Sequence, residues 1–216
     1  MSSRKKLTIS LVSVALVIVA VVVAVVAVLA AQNQAIKSSF SVKYSAQSNV
    51  VMNVKSTYKL MDKQTASPDL TGGTAIGAAA GLEIARDYTG NGVLGTVGSQ
   101  ELKDEAGKRA LVFAFTFENK GSKAVTATLA VKSQDEATTY TDTTLGNANM
   151  VAKYFDGTDW DASAVGASVV IGGASYTNGA VVSVKKTVYV QFYVNNPDFD
   201  VAEMSFQLLW SLESAD

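Results

Sequence analysis

Residues Leu111-Val112-Phe113-Ala114-Phe115-Thr116-Phe117 run into Glu118-Asn119-Lys120-Gly121-Ser122-Lys123, and then into Val125-Thr126-Ala127-Thr128-Leu129-Ala130-Val131. In the first run the large apolar residues Leu111, Phe113, Phe115 and Phe117 share one parity. In the last, Val125, Ala127, Leu129 and Val131 do the same. Side chains alternate faces along a strand, so a period of two buries one face of a sheet. Aromatic and β-branched residues suit that pleated surface. The stretch between the two runs is polar and holds Gly121, which accepts the positive φ of tight turns. It predicts a hairpin joining two strands.

The same alternation recurs outward from this point. Phe40, Val42 and Tyr44 alternate with Ser41, Lys43 and Ser45. Val50, Met52, Val54, Tyr58 and Leu60 share a parity, as do Val188, Val190, Phe192 and Val194. The chain ends on Met204, Phe206, Leu208, Trp210 and Leu212 against mostly polar neighbours. Gln47-Ser48-Asn49 and Asn195-Asn196-Pro197-Asp198 read as turns. Residues 150–155, 165–171 and 180–184 are shorter strand candidates. About eight to ten strands with turns between them predict an all-β fold, an antiparallel β-sandwich or jelly roll. Residues 63–99 are rich in Gly, Ala, Ser and Thr, and Thr74–Arg86 reads as a short helix or a long crossover between sheets.

The 216 residues suit one domain plus an appendage. The chain has 0 Cys and 0 His. That removes disulfides, thiolate metal sites, His-ligated zinc, the Ser-His-Asp triad and the usual proton shuttle. Lys+Arg 18 against Asp+Glu 19 argues against nucleic acid, whose binders need a basic face.

The N-terminal segment is set apart by charge. Arg4, Lys5 and Lys6 precede residues 7–31, which carry no charge, and from Val14 to Ala31 every residue is Val, Ala, Leu or Ile. A hydrocarbon core about 30 Å thick takes roughly 20 apolar residues as a helix, and only a helix satisfies its own backbone there. Residues 1–31 therefore read as a basic start plus a transmembrane anchor or signal helix, and residues 32–216 as an extracellular β-sandwich domain. The length suits an uncleaved anchor. A cleaved leader, cut near Ala30 or Ala31, suits the basic start. In both cases the basic residues hold the N-terminus in the cytoplasm and the domain lies outside. Taking the three basic residues from 18 leaves 15 against 19 acidic ones, a mildly acidic outer domain.

Three stretches are candidate sites. Asp87-Tyr88-Thr89-Gly90-Asn91-Gly92 has the start of a calcium loop, with oxygen donors on Asp87, Thr89 and Asn91 and Gly at the sixth place. Gly98 stands where the twelfth-place acid is needed, and a Gly/Asn turn explains the same letters. Asp156-Gly157-Thr158-Asp159-Trp160-Asp161 is a turn between strands, or a calcium site built from Asp156, Asp159 and Asp161 with help from Gln134-Asp135-Glu136. Trp160 either stacks on a sugar ring or caps the core. Glu101, Asp104 and Glu105 among Lys103, Lys108 and Arg109 read as a solvated loop; nothing marks a glycosidase pair. No Ser/Lys dyad stands in a distinctive motif, and no glycine-rich phosphate loop occurs. The chain is read as a non-enzyme with no catalytic residue and no cofactor beyond calcium.

The basic start and apolar segment, then Ser39-Phe40-Ser41-Val42-Lys43-Tyr44, then Phe113-Ala114-Phe115-Thr116-Phe117-Glu118-Asn119-Lys120-Gly121-Ser122, form a layout that resembles exported bacterial β-sandwich proteins of the camelysin/TasA type, which include biofilm-fibre subunits. The resemblance implies a jelly roll outside a bacterial cell. In fibre-forming members it implies an N-terminal strand added to the neighbouring subunit. Some relatives carry a metallopeptidase label; with 0 His that activity does not transfer. Physically, a strand at 38–46 that does not complete its own sheet leaves an open edge, and pairing with the next subunit satisfies both. Alternatively it pairs with the 50–60 run as a first hairpin. The expected function is a structural or adhesive bacterial cell-surface protein. The alternative is a surface module binding carbohydrate or calcium. The expected partners are the lipid bilayer through residues 7–31, other copies of the chain, or other surface proteins.

Overall fold

In a computed structural model the described residues are 17–23, 35–77, 81–84, 90–103, 108–133, 138–141, 144–145, 150–155, 157–160, 162–195 and 204–215. The chain divides into two compact units, Met1–Gln34 and Ala35–Asp216. In the first, residues 17–23 are helical, and Val17, Ile18, Val19, Val21, Val22 and Val23 are exposed. No helix among the described residues is long and apolar enough to cross a membrane. The remainder of the expected span, residues 7–16 and 24–31, lies outside the described residues.

The second unit is all β. With strands numbered in chain order, one sheet runs β10 (Ser168–Ile171), β7 (Val125–Ser133), β14 (Met204–Ser214), β1 (Ala35–Ala46), β5 (Gly90–Lys103). The other runs β3 (Thr74–Ile76), β2 (Met52–Asp62), β6 (Arg109–Asn119), β13 (Val184–Val194), β9 (Met150–Phe155), β8 (Thr144–Leu145), with β4 (Leu82–Ile84) also on β2. A separate ribbon pairs β11 (Ser175–Thr177) with β12 (Ala180–Val182).

The alternating apolar faces meet between the two large sheets. Phe40 on β1 lies 5.4 Å from Phe113 on β6 and 4.8 Å from Phe192 on β13. Trp210 on β14 is held edge-on by Phe115 at 5.2 Å and Phe117 at 5.1 Å. Such tilted and edge-on contacts suit the quadrupoles of the rings. The result is a sandwich with one apolar core.

The expected hairpin at 118–123 does not form. β6 pairs with β2 and β13, whereas β7 pairs with β14 and β10. The loop carries the chain from one sheet to the other, which lets the Phe113–Phe117 face pack onto the Leu129–Val131 face instead of lying beside it. Asn119, fully buried, holds the crossing. Its Nδ2 donates to Lys123 O at 2.8 Å and Gly172 O at 3.0 Å, and its Oδ1 accepts from Gly121 N at 2.9 Å.

The expected first hairpin fails for the same reason. The turn at Gln47 closes, with Val50 N donating to Gln47 O at 3.1 Å, but β1 and β2 lie on opposite sheets. β1 instead runs parallel to β14, from Ser38 opposite Met204 to Ala46 opposite Leu212, and antiparallel to β5. Thr74–Arg86 is no helix among its described residues. It supplies β3 and β4, and the chain then crosses to β5. At that crossing β3 and β5 touch through glycines: a Cβ on Gly77 would overlap the Leu94 carbonyl, and one on Gly95 would sit 2.7 Å from Gly77 N.

The second sheet is covered on its outer face too. Ala110, Val112, Val151, Phe155 and Tyr193 form a small cluster there with Trp160. The segment after β2 is tied across it. Gln64 N donates to Gln191 Oε1, and Gln191 Nε2 donates to Gln64 O, both at 3.0 Å.

Candidate functional site

The residues singled out for calcium are not gathered into a site by what is described. Asp87, Thr89, Asp156 and Asp161 lie outside the described residues, as do Gln134, Asp135 and Glu136. Asn91 sits on β5 opposite Ser45. Asp159 is exposed. Among the described residues no group of three or more Asp or Glu is placed to hold a metal ion. The chain does turn back around Gly157, which has φ 114°. Tyr154 N donates to Ala162 O at 3.0 Å, and Ala164 N to Ala152 O at 3.2 Å.

Of the two readings of Trp160, a sugar platform and a cap, its surroundings fit the cap. The ring is 7 % exposed and tilted against Phe155 at 5.2 Å. Its Nε1 donates to Ala66 O at 2.8 Å. A buried indole with its N–H satisfied is a packing element. It caps the outer cluster, not the main core. Of the charge run expected as a solvated loop, Glu101 and Lys103 end β5 and Arg109 begins β6, while Asp104 and Glu105 lie outside the described residues; Arg109 and Asp62 approach at 3.8 Å with side chains 45 % and 83 % exposed, an arrangement worth little in water.

Two features remain with functional content. The first is β1. It is the first strand of its unit and lies in the interior of its sheet, between the last strand and β5. Ser38, Phe40, Val42 and Tyr44 face the core and are all buried. On its other face Ser39 Oγ lies 2.7 Å from Ser205 Oγ, its register partner on β14. Removing β1 would uncover a core-lining slot and the backbone edges of both β14 and β5.

The second is a cleft of about 520 Å³ at the end of the sandwich where the β1–β2 turn, the β6–β7 crossing, the end of β14 and the ribbon converge. Its lining includes Lys120, Lys123, Tyr176, Asn49, Ser122 and Ser214. The base is backbone-braced: Lys120 N donates to Val51 O at 2.9 Å, Gly121 N to the same oxygen at 3.2 Å, and Ala174 N to Gly121 O at 2.7 Å. No Asp or Glu is among the described lining residues. Sequence reasoning placed Lys120 and Lys123 in a hairpin loop and overlooked Tyr176. The available signal was Asn178-Gly179 flanked by Tyr176 and Val181, a tight-turn dipeptide between apolar residues.

Two carboxylates elsewhere are held ionised. Glu118 lies below its ordinary value of 4.5, first because the Ser183 hydroxyl donates to it at 2.7 Å, then through nearby Lys185. Asp69 is lowered from 3.8 by the Thr71 hydroxyl and backbone N–H, which close a local turn. Neither lines the cleft.

No protein-family model matches the chain, and no curated protein is similar to it. Among solved structures, the yeast delta-COP-I mu-homology domain complexed with the Dsl1 WxWxV peptide is 8 % identical, over 85 % of this chain and 98 % of that one, with a TM-score of 0.14. The yeast delta-COP-I mu-homology domain alone is 9 % identical, over 84 % and 98 %, with a TM-score of 0.17. At those scores neither likeness carries an argument about fold or function.

Proposed function

We propose that the chain is a non-enzymatic bacterial cell-surface protein, structural or adhesive, held in the cell membrane by residues 7–31 with its jelly-roll domain outside. Copies assemble by donating β1 to the neighbouring subunit. The observation that supports this is the place of β1. A first strand lies inside its sheet, parallel to the last strand, and carries core residues Phe40, Val42 and Tyr44. As the first strand of its unit, it can leave without threading any loop of that unit. Its slot presents backbone groups on both edges and apolar pockets on one face, the two ingredients of strand addition. An identical β1 from the next copy fits that slot by definition, which is the low-cost route of domain swapping.

The test is a staple. Ser39 and Ser205 are opposed with hydroxyls 2.7 Å apart, and the chain has 0 Cys. The pair S39C/S205C is therefore placed for a disulfide. In full-length protein displayed on cells and oxidised there, donation predicts a ladder of covalent multimers on a non-reducing gel, because β1 then lies on another copy's β14. Oxidation before assembly predicts monomers locked against assembly, released by reductant. Intramolecular cross-links alone, on cells dense with the protein, would refute donation.

A further inference from the structure

We infer that the cleft at the end of the sandwich binds an acidic saccharide, a chain bearing uronic acid residues. Three observations carry it. First, its volume of about 520 Å³ falls in the range of roughly 300–1,000 Å³ typical of small-ligand sites. Second, its charge is one-sided. Among the described lining residues the charged ones are Lys120 and Lys123, although residues 32–216 hold more acids than bases. The nearby acid Glu118 bonds Ser183 and pairs with Lys185, and feels the charge of Lys120 more weakly.

Third, the ribbon has no packing role that accounts for it. Every residue of β11 and β12 is exposed, and Tyr176 is 69 % exposed. An isolated two-stranded ribbon is marginal in water. This one is anchored at its base, on the floor of the cleft. Ala174 N bonds Gly121 O, Asn119 Nδ2 bonds Gly172 O, and Gly173 sits so close to the Ser122 carbonyl that any side chain there would overlap it. The Asn178-Gly179 turn, with φ 51° and 79°, closes the far end. The base holds the exposed Tyr176 on the same cleft as Lys120 and Lys123.

That combination matches a uronate. The C–H face of a pyranose packs on a Tyr ring. Its carboxylate takes charge-assisted hydrogen bonds from lysine ammonium groups. Its hydroxyls find donors and acceptors on Asn49, Ser122 and Ser214. A neutral sugar makes no use of the lysines, and a phosphate polymer makes none of the tyrosine face.

The test uses full-length protein in detergent with chelator present, titrated with oligogalacturonate. The comparison probes are the same oligomer with its carboxyls methyl-esterified, and polyphosphate. The acidic oligomer is expected to bind, and K120Q, K123Q and Y176A to weaken it by about tenfold each. The esterified oligomer should bind as poorly as those variants. K185Q removes the same charge outside the cleft and should leave binding unchanged. Because Tyr176 is exposed, Y176A tests the site without disturbing the core. No binding at millimolar oligogalacturonate overturns the assignment. So does equal binding to polyphosphate that Y176A leaves intact, which would reduce the cleft to two surface lysines. The stapled S39C/S205C protein should bind equally well, so failure of strand donation and failure of this site are read separately.

Discussion

Phe40→Ala tests the placement of β1 most directly. The ring is 1 % exposed and meets three others: Phe113 at 5.4 Å, Phe192 at 4.8 Å and Phe206 at 5.4 Å. Two of these belong to the facing sheet and one to its own, so the hole left by truncation cannot close without moving both sheets. Phe→Ala in a core costs about 3–5 kcal/mol, with the higher values where the site cannot collapse. We expect about 4 kcal/mol here, a large share of the roughly 5–15 kcal/mol that holds a domain together. For a unit of this size that corresponds to a fall in Tm of about 10 °C. Urea unfolding followed by tryptophan fluorescence is a suitable assay, because buried Trp210 reports on the same core. The midpoint should drop while the slope stays constant. Val93→Ala on β5, 56 % exposed, is the control and should change stability by no more than about 0.5 kcal/mol. A loss below about 1.5 kcal/mol for Phe40→Ala would mean that β1 does not fill this core, and strand donation would lose its basis.

Three further substitutions have defined outcomes. Gly77→Ala forces a side chain into the Leu94 carbonyl at φ 73° and should abolish folding. Gly157→Ala, at φ 114° with open space around it, should cost only backbone strain of about 1–3 kcal/mol; similar melting curves for the two would refute the close approach of β3 and β5. Glu118→Gln should melt below the parent at neutral pH, because a carboxyl whose value is lowered on folding stabilises the charged, native form. The gap should close as pH falls well below 4.5 and the parent's Glu118 takes up its proton; a gap independent of pH would refute the role of the Ser183 and Lys185 contacts.

Much of the molecule is legible in the chain because its signals are local. The alternation of Phe113, Phe115 and Phe117 with Ala114 and Thr116 places a strand and says which side is buried. So do Phe40, Val42 and Tyr44, and Phe206, Leu208 and Trp210. The turn at Gln47 forms at the polar Gln-Ser-Asn break between alternating runs, and the chain turns again around Gly157. The absence of His and Cys removes whole classes of chemistry before any coordinate is drawn.

Strand partners are another matter. A period of two encodes a face and carries no information about a neighbour. A polar loop with a glycine, such as 118–123, serves equally to join two strands side by side or to carry the chain across to the facing sheet. Burial of two strongly apolar faces against each other decides for the crossing, and Asn119 fixes it through a hydrogen bond to Gly172, 53 positions away. The same competition sends β1 to β14, at the other end of the chain, instead of to β2. Trp160 shows the point for a single side chain. Between two aspartates it reads either as a sugar platform or as a cap, and only Phe155 and the Ala66 carbonyl, distant in sequence or brought close by the fold, decide for the cap. The cleft is the extreme case, since Asn49, Lys120, Tyr176 and Ser214 have nothing in common along the chain. Sequence alone determined the strongly alternating strands and the faces they bury, but not β3, β4 and β5, whose Gly-, Ala-, Ser- and Thr-rich stretch lacks that alternation. Tertiary structure decided which strands pair and which side chains share a site, because those depend on contacts between residues far apart in the chain.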